Sequence, residues 1–295
     1  MLAPICLFTY NRINETIQTV KALQENFLAE QSDLYIFSDG PKNIFAEKKV
    51  DAVRSYIHSL DGFKSINIIE SDQNKGLANS IIEGVTKIIN QHGKLIVLED
   101  DLVTSRNFLQ FINQGLTFFE SDTDVFSIAG YTPPIRKPKQ DIYFTQRASS
   151  WGWATWKDRW NEISWNIENY ESYRKDLLFI KKFNRMGSDM SKMLHDQMTG
   201  KINSWAIRWC FHQYLKQKFT VYPTVSKIQN IGTGQGASHT IDRFNRFATP
   251  LDLSLRTDFD FNVDVKLESF YLKQFLKQFS IATRIKYKLL NSLKS

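Results

Sequence analysis

Five apolar runs of strand length punctuate the first 130 residues, at 3–8, 34–37, 66–69, 95–98 and 125–129. Between them apolar residues recur every three or four positions. Ile13, Ile17, Val20, Leu23 and Phe27 form one such set, and Val50, Val53, Ile57 and Leu60 a second. Ala78, Ile81, Ile82, Val85 and Ile89 form a third, and Phe108, Phe111, Ile112, Leu116 and Phe119 a fourth. Helices with one apolar stripe and strands apolar on both faces can bury those surfaces only against each other. The alternation therefore predicts a mostly parallel sheet with helices on both sides, an α/β fold.

Ligands of open α/β sheets bind outside the carboxyl ends of the strands. Here the first four strand patterns end in Thr9-Tyr10-Asn11-Arg12, Ser38-Asp39-Gly40-Pro41, Ser71-Asp72-Gln73-Asn74-Lys75-Gly76 and Glu99-Asp100-Asp101. One polar strand end is ordinary loop chemistry; four on one edge point to a site. The acid triplet is the sharpest of them, because adjacent carboxylates repel and are costly to desolvate. Strand alternation puts Glu99 and Asp101 on one face and Asp100 on the other. Mg²⁺ or Mn²⁺ takes oxygen ligands and commonly bridges one or two carboxylates to substrate phosphates. A solvated turn, with Thr104 or Ser105 capping the next helix, accounts for the same spacing.

Neither a P-loop nor a G-x-G-x-x-G follows the first strand, so the usual phosphate motifs are absent. Arg12 and Lys75 are instead placed to offset phosphate charge, and Asp39 to accept from a base imide N–H. An ion pair of Arg12 with a nearby acid is the plainer alternative.

From residue 131 the style changes. Residues 131–175 are rich in Trp, Tyr, Pro and Arg, with SSWGWATW at 149–156. Trp151, Trp153, Trp156, Trp160 and Trp165 serve either core packing or a carbohydrate platform, where Arg159 would join them, and Gly152 marks a close backbone approach. Helical pattern returns at 176–219, followed by a short strand at 220–225 and a glycine loop at 230–239 ending in His239. Asp189, His195 and Asp196 cluster as candidate bases, with Asp158 and Glu162 behind them.

The 38 Lys and Arg against 31 Asp and Glu give a net charge of +7, which suits an anionic partner. No helix-turn-helix, zinc or RNP pattern is present, so nucleic acid is not the expected one. Cys6 and Cys210 are the only cysteines and make no disulfide framework, which fits a reducing cytoplasm. The N-terminus lacks signal-peptide features, and no stretch approaches the ~20 apolar residues of a membrane span. From 270 to 295 the chain has six Lys or Arg and no acid, interleaved with Phe, Tyr, Leu and Ile. That segment reads as an ordinary terminal helix or as a basic amphipathic one on anionic lipid, at the inner face of the cytoplasmic membrane.

FTYNR, IFSDGPK, NKGLANSI, VLEDDL and SWGWATW together resemble the GT-A glycosyltransferases. More narrowly they resemble bacterial relatives of the N-acetylglucosaminyltransferase I family and family 2-like sugar transferases. The likeness covers roughly residues 3–240. It implies a nucleotide-sugar half at 1–130, an acceptor half at 131–240 in the same domain, and an extension at 241–295. It also implies a UDP-sugar donor such as UDP-GlcNAc, with Mn²⁺ or Mg²⁺ bridging its phosphates. The acceptor would be a saccharide or polyprenyl-linked saccharide in bacterial surface polysaccharide synthesis (lipopolysaccharide or capsule).

By match of motif, Asp101 is the direct metal ligand; His239, at the end of the glycine loop, is a further candidate contact on the reading of that loop alone. Glu99 and Asp100 face donor sugar and ribose, and Thr9, Arg12, Asp39 and Lys75 hold the nucleotide. Trp151, Gly152 and Trp153 shape the sugar or acceptor pocket. Family members invert the anomeric centre with one base, which the eukaryotic enzymes carry in Trp-Asp-Asp-Trp. The matching stretch here, Ser204-Trp205-Ala206-Ile207-Arg208-Trp209, has no carboxylate, and Asp196 is the expected substitute. A sugar-1-phosphate nucleotidyltransferase is the nearer rival, although it would carry a glycine-rich basic loop after the first strand. A non-catalytic carbohydrate- or lipid-binding protein is the other.

Overall fold

The computed structural model describes residues 1–232 and 244–292. The chain runs β1 (Ile5–Thr9), α1 (Ile13–Gln24), β2 (Asp33–Ser38), α2 (Ile44–Ile57), β3 (Ser65–Glu70), α3 (Leu77–His92), β4 (Lys94–Glu99), β5 (Leu102–Thr104), α4 (Phe108–Phe118) and β6 (Val125–Ala129). It continues with β7 (Ile142–Thr145), β8 (Trp153–Trp156), α5 (Lys157–Asn161), α6 (Tyr170–Tyr173), α7 (Leu177–Phe183), α8 (Met190–Met198) and α9 (Trp205–Leu215). Last come β9 (Phe219–Pro223), β10 (Ile228–Asn230), α10 (Ser269–Lys277) and α11 (Ile281–Ser292).

Parity along the central strands sets the layers. Ile5 and Leu7 of β1, with Ile96 and Leu98 of β4, pack with Val20, Val53 and Ile112 from α1, α2 and α4. Cys6 and Phe8, with Leu95 and Val97, pack on the other face with Ile81, Val85 and Ile89 of α3 and Trp209 of α9. Both faces are covered, so these strands read as unbroken apolar runs. Cys6 and Cys210 are buried free thiols.

Eight strands form one sheet in the order β3-β2-β1-β4-β8-β6-β9-β7. β3, β2, β1 and β4 are parallel, as are β6 and β9, while β8 and β7 run against their neighbours. The fold is therefore the expected mostly parallel α/β sheet flanked by helices. The chain works outward from β1 to β3, then returns to lay β4 on the other side of β1. That reversal opens a crevice between the carboxyl ends of β1 and β4, where open sheets bind ligands.

Two features depart from the sequence reading. The aromatic half holds more strand than the one expected at 220–225, since besides that strand, β9, it supplies β7 and β8 to the same sheet. All four residues of β8 are buried, so Trp153-Ala154-Thr155-Trp156 shows no alternation to read. The helical pattern at 176–219 is cut into separate helices by caps, Asp176 accepting from the N–H groups of Leu178 and Phe179, and Ser204 from that of Ile207.

Candidate active site

A cleft of about 530 Å³ occupies the crevice, a size that suits a nucleotide-sized ligand. Thr9, Tyr10, Asn11 and Arg12 line it from β1, Glu99, Asp100 and Asp101 from β4, and Asn230 and Gly232 from the far end of β10. Phe8 and Phe37, stacked at 4.8 Å between centroids, and Leu77 form an apolar wall.

The acids do not alternate as a continuing strand would have them. The chain leaves β4 at Glu99 and turns, so Asp100 and Asp101 both reach one guanidinium. Arg12 pairs with Asp100 through Nη2 and with Asp101 Oδ2 through Nη1 at 2.9 Å. The Tyr10 N–H donates to Asp100 at 3.3 Å, and the Thr19 hydroxyl donates to the Asp100 carbonyl at 3.0 Å. β10 pairs with β5 immediately after the triplet, and the Ile231 N–H donates to the Asp101 carbonyl at 2.9 Å. Gly232 then lies against Asp101, where a Cβ would fall 2.0 Å from Oδ2. Only glycine lets the backbone pass there.

Glu99 has no hydrogen-bond or ion-pair partner among the described residues. Burial, followed by repulsion from Asp101 and Asp100, lifts its carboxyl well above the usual range. Burial also pushes Asp100 up to about 6, against the pull of Arg12. If all ionise, three carboxylates against one guanidinium leave two negative charges in a mostly buried site. That is the charge of one divalent cation. Among the described residues no three His, Cys, Asp or Glu side chains converge as a protein-only metal cluster. Asp101 could hold a hard cation, for which a bound ligand would supply further oxygen donors.

Asp39 has a different task from the one expected. Its Oδ1 accepts from the N–H groups of Gly40 (2.9 Å) and Lys75 (2.8 Å), and its Oδ2 from the Gly76 N–H (2.9 Å) and the Asn74 amide (3.1 Å). Those four bonds fill a carboxylate's lone-pair sites, so none remains for a base imide. Asp39 instead fixes the 74–76 loop that enters α3 and lines the cleft. Asp39→Asn is expected to lower unfolding stability by about 2–4 kcal/mol, because one amide oxygen cannot serve four donors. Urea unfolding checks this, and a loss under about 1 kcal/mol would mean that water replaces those bonds.

Lys75 also turns away. Its ammonium pairs with Glu83 of α3 at 2.6 Å and lines a neighbouring hollow. The cleft's second cation is Lys42, exposed and with no ion-pair partner among the described residues. Sequence reading missed Lys42, although it follows the polar end of β2.

The tryptophans divide between cleft and core. Trp151 lines the cleft and meets Tyr131 and Phe247 edge-on at 4.7 and 5.5 Å. Trp153 is 1% exposed and packs on Trp209, Trp205 and Trp160, so it does not shape the pocket. Gly152 stands between them at φ +58, its carbonyl 2.6 Å from the Gly130 N–H, and a Cβ there would strike Ile228. It makes the close backbone approach expected and lets the two indoles diverge. Arg159 is buried too, donating to the carbonyls of Phe119, Glu120 and Asp122 rather than offering a platform. Asn245 and Phe247 line the cleft without any sequence signal that marks them.

The expected bases lie elsewhere. Asp196 is held by Lys192 and, at 3.9 Å, by Lys201, and it does not line the cleft. Asp189 is locked by Arg147 in a two-pronged pair at 2.8 and 3.0 Å. His195 bonds the Tyr170 hydroxyl at 2.9 Å. His239 lies outside the described residues. A smaller cavity of about 160 Å³ shares Trp151 and Phe247 with the cleft and is lined by Met190, Met193, Ile207 and Phe275.

No family model matches the chain, and no curated protein does. Among solved structures it is similar to the mannosyltransferase PcManGT from Pyrobaculum calidifontis in complex with GDP-Man and Mn²⁺. The identity is 10% and the TM-score 0.37, over 54% of this chain and 46% of that one. It is also similar to S. aureus TarS 1-349, with 9% identity and a TM-score of 0.44, over 79% of this chain and 61% of that one. The chain thus spans less than two thirds of the length of either structure. At these TM-scores the likeness carries no functional argument, which rests instead on the residues of the cleft.

Proposed function

We propose that the chain is a glycosyltransferase that moves a sugar from a nucleoside diphosphate to an acceptor hydroxyl, assisted by Mn²⁺ or Mg²⁺. The carrying observation is the acid triplet at the switch point, three carboxyls beside a single guanidinium and open to a nucleotide-sized cleft. UDP is the nucleotide that the motif resemblance favours, and inversion by single displacement is the mechanism it favours. Phe8, Phe37 and Leu77 offer the base an apolar wall, with Thr9 and Asn11 beside it.

Lys42, with no ion-pair partner among the described residues, would draw the diphosphate to the carboxyl ends of the strands. Asp101 would hold the cation, which supplies Lewis-acid stabilisation of the departing diphosphate. Glu99, whose carboxyl has no partner among the described residues, would hydrogen-bond a donor-sugar hydroxyl. Trp151 and Phe247 separate the donor cleft from the smaller apolar cavity, which would receive part of the acceptor.

A panel of UDP-, GDP- and dTDP-sugars, with and without Mn²⁺, tests the reading through released nucleoside diphosphate. No turnover and no nucleotide binding across the panel would retire it. Pyrophosphate release from a nucleoside triphosphate and a sugar 1-phosphate would make the protein a nucleotidyltransferase instead.

The acids also set a pH dependence. Asp100 titrates at about 6 in the fold, above the ~3.9 of an unfolded aspartate. Its favourable contribution is complete below about pH 4 and is lost as pH rises through about 6, because ionisation is then resisted in the fold. A cation that prefers ionised carboxylates offsets that loss. Thermal stabilisation by Mn²⁺ should therefore grow between about pH 5 and pH 7.5. Equal stabilisation at the two values would count against a cation at the triplet.

A further inference from the structure

The last helix displays its apolar row to solvent. At about 100° per residue, Ile281, Ile285 and Leu289 lie along one side of α11, and they are 63%, 54% and 55% exposed. Ala282 is exposed beside them, and exposed Lys286 and Lys288 flank the row on either side. The half-buried side consists of Thr283, Arg284, Tyr287, Leu290 and Asn291. Polar contacts hold that side. Arg284 donates to the carbonyl and hydroxyl of Ser188 at 3.3 and 3.1 Å, and Asn291 exchanges hydrogen bonds of 2.9 and 3.2 Å with the Phe244 backbone. A helix that only covered the body would turn its aliphatic row inward.

We propose that this face of α11 docks on an anionic lipid surface, the aliphatic row entering the headgroup boundary and the flanking lysines meeting lipid phosphates. Charge selects this occupant. Residues 270–295 carry six Lys or Arg and no acid, and Lys273 and Lys277 of α10 are exposed as well. A second copy packed on the same row would bring the Lys286 and Lys288 side chains of both helices together. An anionic surface offsets all of them at once. From Ile281 to Leu289 the row is about 12 Å long, enough to lie in the interface, and no described helix is long and apolar enough to cross a membrane. Docking is independent of the reaction proposed above.

The test is sedimentation of the full chain with phosphatidylcholine vesicles, alone and with about 30% phosphatidylglycerol. Binding to the anionic vesicles only, weakened by salt, is the expected result. Ile285→Asn with Leu289→Asn should lower that binding about tenfold or more. Lys286→Glu with Lys288→Glu should lower it more than about twentyfold. Near-UV circular dichroism unchanged from wild type shows that each variant is folded. Wild-type binding by both folded variants overturns the proposal, as does a wild-type chain that ignores anionic vesicles. A dimer dissociated by the Ile285 and Leu289 changes, without vesicle binding, would give the face to a second copy instead.

Discussion

Asp101→Asn is expected to cut sugar transfer by about three orders of magnitude, equivalent to about 4 kcal/mol of transition-state stabilisation. The change keeps the side chain's shape and removes the charge that would hold the cation. Asp100 retains Arg12, and the backbone bond from Ile231 to residue 101 does not involve the side chain. The variant should therefore fold like the wild type and bind nucleotide alone with little change, while Mn²⁺ no longer tightens that binding. Calorimetric titration of UDP with and without Mn²⁺, beside initial rates, separates the two effects. Retention of more than about a third of wild-type turnover would remove Asp101 from the site.

The largest stability effect belongs to a pair that sequence reading did not single out. Lys227 and Asp252 form an ion pair with side chains 4% and 8% exposed. The ammonium lies 4.3 Å from the Phe259 ring centroid and 5.5 Å from that of Phe111. The Asn107 amide and the Ser254 N–H donate to Asp252 at 3.1 and 2.8 Å. Burial holds the Lys227 ammonium below its usual range. Burial pushes the other way on Asp252, but the Lys227 hydrogen bond and charge keep that carboxyl low.

Asp252→Ala would strand a buried charge, so a loss of about 3–5 kcal/mol is expected in urea unfolding. Lys227→Met with Asp252→Leu should recover most of it, since apolar replacement of a buried pair is often neutral. A single-variant loss below about 1 kcal/mol would show that water already reaches the pair. The effect should extend to catalysis, because Lys227 precedes β10 and the segment that contacts Asp101.

Strands β1 and β4 were legible because each is buried on both faces and so stands out as an apolar run between amphipathic helices, while β2 and β3, only partly buried, were legible as short runs rich in Ile, Leu and Phe. The acid triplet was legible from its cost alone. The particular contacts around it were not. Alternation misassigned Asp100 and Asp101 because it assumes that a strand continues, whereas the chain turns at that point and gives both to Arg12. Lys75 looked placed to offset phosphate charge, but Glu83 of α3 holds its ammonium. Asp39 looked free to bind a ligand until four donors were seen to surround it.

The sequence by itself determined the layered sheet, the edge on which the cleft opens and the acids at its centre. Periodicity and the energetic cost of clustered charge are properties of neighbouring residues. Tertiary structure alone decided which polar groups remain available. Trp151 rather than Trp153 reaches the cleft because Gly152 takes a left-handed turn against Gly130 and Ile228, residues distant in sequence. Asp196 does not line the cleft and is held by Lys192 and Lys201. A side chain's chemistry is written in its own residue, but its freedom to act depends on partners that only folding supplies.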